Sequence, residues 1–378
     1  MNYLSRIKIG FYNEIKLPTK LKCLLTSIKN ICRFKKIPEN RGFFLRPKSK
    51  KMTERGIPTP FRPEDEILSG INDNGGWVNA HAHLDRAFSL TPQSYDLSRR
   101  ALQEKWQIVD DLKRESTIDE IYGRMAQAVE LMLKQNVQAV GTFIDVDDVI
   151  RDKSMEAADK VRSEYESDMR FVFVNQVLKG VLDPDAQRWF LEGSQFVDVI
   201  GGLPKKDQGR EKDHLDTVLQ TAKSMGKMVH AHVDQLNTRS ETETELLAER
   251  TIAHGMQGRV VAVHGISIAA NPQEYRRGLY KKMKKAGMML ISCPTAWIDS
   301  RRTEDLAVTH NSIAPVEEMM EEGIPVAIGT DNIHDVFKPF SDGNMWLELR
   351  LLLETCGLRD KDELVRIATV NGLKTLGL

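Results

Sequence analysis

The sequence is poor in cysteine. Its four thiols, Cys23, Cys32, Cys293 and Cys356, are scattered and form no C-x-x-C pair. That excludes a disulfide framework and a thiolate metal site, and it reads as free thiols in a reducing compartment. Long apolar runs are missing as well. No stretch of about 18 apolar residues occurs, so no membrane-spanning helix is expected. No Gly-x-Gly-x-x-Gly follows the first predicted strand, and there is no P-loop, so an open nucleotide-binding sheet has no support. Internal repeats and low-complexity tracts are also absent. The composition, 41% hydrophobic and 29% charged, is ordinary for a soluble globular protein.

Net charge is lacking overall but not locally. Residues 1–52 hold fourteen lysines and arginines against two acids, Glu14 and Glu39, a net of +12. The remainder therefore nets −12. Three readings of residues 1–51 stay open: a disordered extension upstream of a start at Met52, an organelle-targeting peptide, or a basic arm for nucleic acid or an anionic surface. No RNA-binding motif or interleaved aromatic set favours nucleic acid as a partner. The reading is a cytoplasmic protein, with organelle targeting by residues 1–51 as the alternative.

What is present is a regular alternation. Residues 52–76 carry Pro58, Pro60, Pro63, Gly70, Gly75 and Gly76 and read as an irregular lead-in. Strands are expected at Trp77–Ala82, Val137–Asp145, Phe171–Val177, Phe196–Ile200, Met228–Val233, Val260–His264, Met288–Ser292 and Pro325–Gly329. Helical periodicity lies between them, as at Ile121, Met125, Val129, Met132 and Leu133. Eight short apolar strands alternating with helices over about 300 residues are the sequence form of a (β/α)8 TIM-type barrel of the α/β class. The domain reading is a basic extension (1–51), the lead-in (52–76) and the barrel (77–378).

Barrel enzymes keep their chemistry at the C-terminal ends of strands. The first strand ends in His81-Ala82-His83, and residues i and i+2 of a strand share a face. The fifth carries His230-Ala231-His232-Val233-Asp234-Gln235, the sixth ends in His264, and the eighth runs into Thr330-Asp331-Asn332. His81, His83, His232 and Asp331 form an N₃O set for one divalent metal ion, zinc or iron, with room for water. His264 is placed to hydrogen-bond that water, and Asp331 to take its proton. His230 reads as structural, and His214, His254 and His310 as surface positions.

These motifs resemble the amidohydrolase superfamily, and within it the cytosine deaminase-like branch, over about residues 77–378. The carriers are His81-Ala82-His83-Leu84-Asp85, Val140-Gly141-Thr142-Phe143-Ile144-Asp145, Phe173-Val174-Asn175-Gln176, His232-Val233-Asp234-Gln235, His264, and Gly329-Thr330-Asp331-Asn332 with Asp335-Val336-Phe337 and Gly343-Asn344-Met345. The resemblance implies a mononuclear site on His81, His83, His232 and Asp331. It implies a hydroxide-contacting role for His264 and substrate binding by Gln176. Asn332 and His334 in the last loop are further substrate-binding candidates. The implied activity is hydrolysis of a C–N bond by metal-bound hydroxide, in a cyclic amide or an amino- or alkylamino-substituted N-heterocycle. Catalysis is assigned to Asp331, His264 and Gln235, with a small molecule as substrate and a homo-oligomer allowed.

Two departures stand out. The deaminases of that branch end the fifth-strand motif in Glu, which shuttles protons; here it is Gln235, and an amide carries no proton at neutral pH. The alternative function is therefore an inactive barrel that keeps a metal or ligand site. Family members also carry a small β-sandwich from both sides of the barrel. Here that sandwich is expected to be reduced or absent, with residues 52–76 or a partner subunit over the barrel flank, or a truncated gene.

Overall fold

The structure, a computed structural model, describes residues 61–378 apart from 99, 101, 297 and 299–312. The readings of residues 1–51 and of His310 lie outside the described residues.

Eight parallel strands lie in the order of the chain: β1 (Trp77–Ala82), β2 (Val137–Asp145), β3 (Arg170–Gln176), β4 (Val199–Gly202), β5 (Met228–Val233), β6 (Val260–His264), β7 (Met289–Ser292) and β8 (Val326–Ile328). A parallel bridge from Ala82 to Asp331 brings β8 back to β1. This is the expected (β/α)8 barrel. Among the described residues it is the only sheet, so no second β-layer accompanies it. Parallel strands covered on both faces read as near-continuous apolar runs. β1, β4, β6, β7 and β8 are buried at every position.

Helices cover the outside. α1 (Pro63–Asp73) precedes β1; α2 (Pro92–Leu97), α3 (Leu102–Glu115) and α4 (Ile118–Lys134) join β1 to β2. α5 (Lys153–Tyr165), α6 (Pro184–Phe196), α7 (Glu211–Met225), α8 (Glu243–His254), α9 (Gln273–Lys285) and α10 (Val316–Glu321) follow in turn. α11 (Met345–Thr355), α12 (Lys361–Ala368) and α13 (Val370–Leu376) close the chain. α4 shows why such segments fold where they do. Thr117 and Glu120 form a reciprocal capping box, and Ile121, Met125, Ala128, Val129 and Met132 form one buried stripe.

The lead-in departs from expectation. Residues 63–73 are helical, not irregular. Pro63 sits where its missing N–H is harmless, and Glu64, Asp65 and Glu66 crowd the positive end of the helix. Ile67 and Ile71 are buried, and Asp73-Asn74-Gly75-Gly76 then turns the chain into β1. Pro63 at one end and Gly75 and Gly76 at the other bound this helix, and Gly70 lies within it against Val365.

Two glycines position the site. A Cβ on Gly329 would lie 2.6 Å from the His81 carbonyl oxygen, so glycine lets β8 press against β1. A Cβ on Gly201 would lie 1.8 Å from the Asn175 carbonyl oxygen, so only glycine lets β4 approach β3 there.

Candidate active site

The barrel gathers its histidines at one end. The rings of His81 and His83 are 4.9 Å apart; His232 lies 4.9 Å from His81, and His264 lies 5.3 Å from His232. Asp331 Oδ1 is 3.3 Å from His81 Nε2 and 3.1 Å from His83 Nε2. The ring of Phe143, from β2, forms the floor, 4.5 Å from His232 and 5.0 Å from His81. All five polar residues brought together here are the ones singled out in the sequence.

The strand ends hold them with strained backbone. Asp331 (φ 57°), His264 (φ 77°), Asp234 (φ 54°) and His334 (φ 43°) adopt left-handed conformations that non-glycine residues rarely take. For His264 the strain has a purpose. Val261 and Val263 share an interior cluster with Ile291 and Ala327, so strict alternation would turn residue 264 outward. The left-handed turn brings its ring to His232 instead.

The β1–β8 seam is pinned three times. The Asp331 amide donates to the His81 carbonyl at 3.0 Å. Asn79 Nδ2 donates to Thr330 Oγ1 at 2.9 Å, and the Thr330 amide donates to Asn79 Oδ1 at 3.1 Å.

Electrostatics favour a cation. Burial holds His83 and His232 well below the usual imidazole range and brings His264 down to about 4. Burial alone would raise Asp331, but the imidazoles of His81 and His83 outweigh it and hold the carboxyl well below its usual range. Neutral imidazole and ionised carboxylate are the forms a metal takes. Both ring nitrogens of His81 and the Nδ1 atoms of His83, His232 and His264 are buried without hydrogen-bond partners. Unpartnered buried nitrogens are expensive unless something binds them. Two triads, His81–His83–Asp331 and His81–His232–His264, place ligand atoms within 4.8 Å of one another. The donor set fits one divalent cation.

The other singled-out residues lie at or just after strand ends. Gln176 ends β3, 4% exposed, with its Oε1 unpartnered. Gln235 follows Asp234, whose carboxylate is turned away to cap α8 through the amides of Glu243 and Thr244. Asn332 donates to Asp335 at 2.5 Å, and His334 Nδ1 donates to the Pro339 carbonyl at 3.0 Å. Both side chains are thus anchored in their own loop.

His230 is structural, donating from Nε2 to the Thr375 carbonyl at 2.7 Å. His254 is half-buried against Asp216 at 2.8 Å. His214 is not a surface residue. It is fully buried, with Nδ1 2.6 Å from Asp207 Oδ2 and Nε2 accepting from the Leu203 amide.

Arg86, Lys113 and Asp147 escaped the sequence reading and join acids of the motifs named there. Arg86 lies 3.4 Å from Asp145 and 3.6 Å from Asp335, with its guanidinium 5.3 Å over the Phe337 ring. Lys113 of α3 reaches Asp147 at 2.6 Å and Asp145 at 3.2 Å. Asp85 accepts from the Asp145 amide at 2.7 Å. The signal for Lys113 was present: Trp106, Val109 and Lys113 fall on one helical face.

Fold and site together define a metal-dependent hydrolase built on a TIM-type barrel. The chain belongs to the amidohydrolase family, whose model matches residues 76–378. Membership makes it a hydrolase of C–N bonds other than peptide bonds. An uncharacterised protein of Haemophilus influenzae is 51% identical over 262 residues, covering 68% of this chain and 94% of that one. N-isopropylammelide isopropyl amidohydrolase of a Pseudomonas species is 25% identical over 327 residues, 83% of this chain and 77% of that one. In fold, 5-methylcytosine deaminase of Klebsiella pneumoniae is similar, with a TM-score of 0.74 at 24% identity, over 80% of this chain and 74% of that one. No described helix is long and apolar enough to cross a membrane.

Proposed function

We propose that this chain hydrolyses the exocyclic C–N bond of an amino- or alkylamino-substituted N-heterocycle. The observation that carries the reading is the convergence of His81, His83, His232 and Asp331, with buried ring nitrogens left without partners. The names of two of the relatives, N-isopropylammelide isopropyl amidohydrolase and 5-methylcytosine deaminase, support the substrate class.

His81, His83, His232 and Asp331 would hold one divalent ion, and their N/O donors suit zinc or iron. When bound, such an ion supplies Lewis acidity and lowers the pKa of water toward neutrality. The chain's own residues then divide the remaining work. Asp331 Oδ1 faces the two imidazoles, which leaves Oδ2 to accept a proton from the attacking water. His264 donates a hydrogen bond to the oxygen that develops charge. Gln176 Oε1 accepts an N–H of the ring, and the Gln235 amide orients the same ring. Asn332 and His334 shape the far wall from the β8 loop.

Gln235 favours a second reading, a barrel that binds metal and ligand without turnover. The test is a panel of cytosine, 5-methylcytosine, pterin and N-isopropylammelide, with zinc- and iron-loaded wild type beside Gln235→Glu. Turnover by wild type supports the hydrolase. An inert wild type with an active Gln235→Glu variant establishes the second reading.

A further inference from the structure

Glu348 is one of several buried acids outside the machinery described. Glu348 is 1% exposed, on α11, and shares its buried stripe with Met345, Leu349 and Leu352. An acid at a core position needs partners. Glu348 has two, both from one residue: Thr295 Oγ1 lies 2.6 Å from Oε1, and the Thr295 amide donates to Oε2 at 3.0 Å. Thr295 follows the end of β7. In the barrel order, β7 lies between β6, which ends in His264, and β8, which runs into Asp331.

We propose that Glu348 is a proton-holding positioning residue, which fixes Thr295 at the β7 end of the site and supplies through its hydroxyl the proton that Gln235 cannot carry. The inference rests on the C–N hydrolysis reading. The balance is simple. Water forms the new C–O bond and the C–N bond breaks. Glu348 gives its proton to the Thr295 hydroxyl, which passes its own to the departing nitrogen. Asp331 passes the water proton it accepted to the ring nitrogen as the product becomes the lactam, and the other water proton returns to Glu348 through the Thr295 hydroxyl.

The groups facing Glu348 fit a held proton. Burial pushes its carboxyl up to about 8, and the Asp331 charge from the β8 end adds to this. The two Thr295 hydrogen bonds and Lys338 from the β8 loop work the other way and do not prevail. Cys293, between Thr295 and β7, is itself buried and pushed well above its usual range, so it stays neutral.

The experiment compares metal-loaded full-length wild type with Glu348→Gln, Glu348→Asp and Thr295→Val on the four-compound panel. Zinc content is determined for each, and denaturant unfolding is run from pH 5 to 9. In an active enzyme, Glu348→Gln is expected to keep its zinc and to lose about 100-fold in kcat. The alkaline limb of its pH profile disappears, Thr295→Val follows it, and Glu348→Asp recovers at least tenfold. A Glu348→Gln variant within twofold of wild type, with the same pH profile, overturns the proposal. If wild type turns over no panel compound, the heterocycle reading fails, and unfolding alone decides the role of Glu348. A carboxyl raised in the fold contributes stability at low pH that is lost as pH rises through about 8. Loss of that fall in Glu348→Gln supports the held proton; identical pH dependence in the two proteins overturns it.

Discussion

Asp331 and His81 are joined twice, by a backbone hydrogen bond of 3.0 Å and by a side-chain approach of 3.3 Å between Oδ1 and Nε2. The two residues are 250 positions apart and meet only because the barrel closes. The fold thus builds the site at the seam where its first and last strands join.

Gly329 lets that seam close. Gly329→Ala places a Cβ 2.6 Å from the His81 carbonyl. Overpacking of this kind costs about 1–3 kcal/mol. The expected outcome is a lower urea midpoint together with weaker zinc retention, read on one sample by unfolding and elemental analysis. A loss of stability with zinc retention unchanged would separate the seam from the site.

Lys113 carries two buried carboxylates, Asp145 and Asp147. Removing one partner of a buried ion pair leaves uncompensated charge, at about 3–5 kcal/mol. Lys113→Met should therefore destabilise by about that amount, measured by urea unfolding at pH 7. A double variant, Lys113→Met with Asp147→Asn, should recover part of the loss.

His214 sets a pH dependence on folding. Its Nε2 accepts the Leu203 amide, so protonation there would set two donors face to face. Burial holds the ring below its usual pKa, against the pull of Asp207. The unfolded imidazole, near pH 6.5, binds the proton more readily than the folded one. Stability therefore falls as pH drops through about 6.5. His214→Gln should lower stability at pH 8 and flatten the slope between pH 7 and 5.5, measured by denaturant midpoints. A slope unchanged from wild type would count against this account.

Gln176 has a buried acceptor waiting for a donor. Gln176→Ala removes it without touching the metal donors. KM should rise about tenfold, an ordinary effect for one hydrogen bond in a closed site, with zinc content and thermal midpoint unchanged. A change in kcat alone would place Gln176 elsewhere in the reaction.

Most of the barrel was legible because its periods are clean. Val137–Asp145 and Val260–His264 are apolar runs between strong turn signals, and their observed limits match the expected ones. The gathering of the strand-end histidines was legible because residues i and i+2 of a strand share a face. Beside the Arg86 and Lys113 ion pairs, three features were not. The helix over Pro63–Asp73 was hidden by Pro63, Gly75 and Gly76, which bound it, and by Gly70, which it contains. His214 reads as a surface residue because its helix is rich in charge, yet its ring enters the gap between α7 and the turn after β4. The Glu348–Thr295 pair joins residues 53 positions apart, and only the closed barrel brings them together. An acid on the apolar stripe of Met345, Leu349 and Leu352 was the one local sign of it.

The central claim is that the cluster at the strand ends holds a metal ion. Elemental analysis of the purified full-length chain, beside Asp331→Ala and His83→Ala, tests it most directly. The account predicts about one zinc or iron per folded wild-type chain and a clear loss in both variants. A folded wild type that stays free of metal after reconstitution would contradict it.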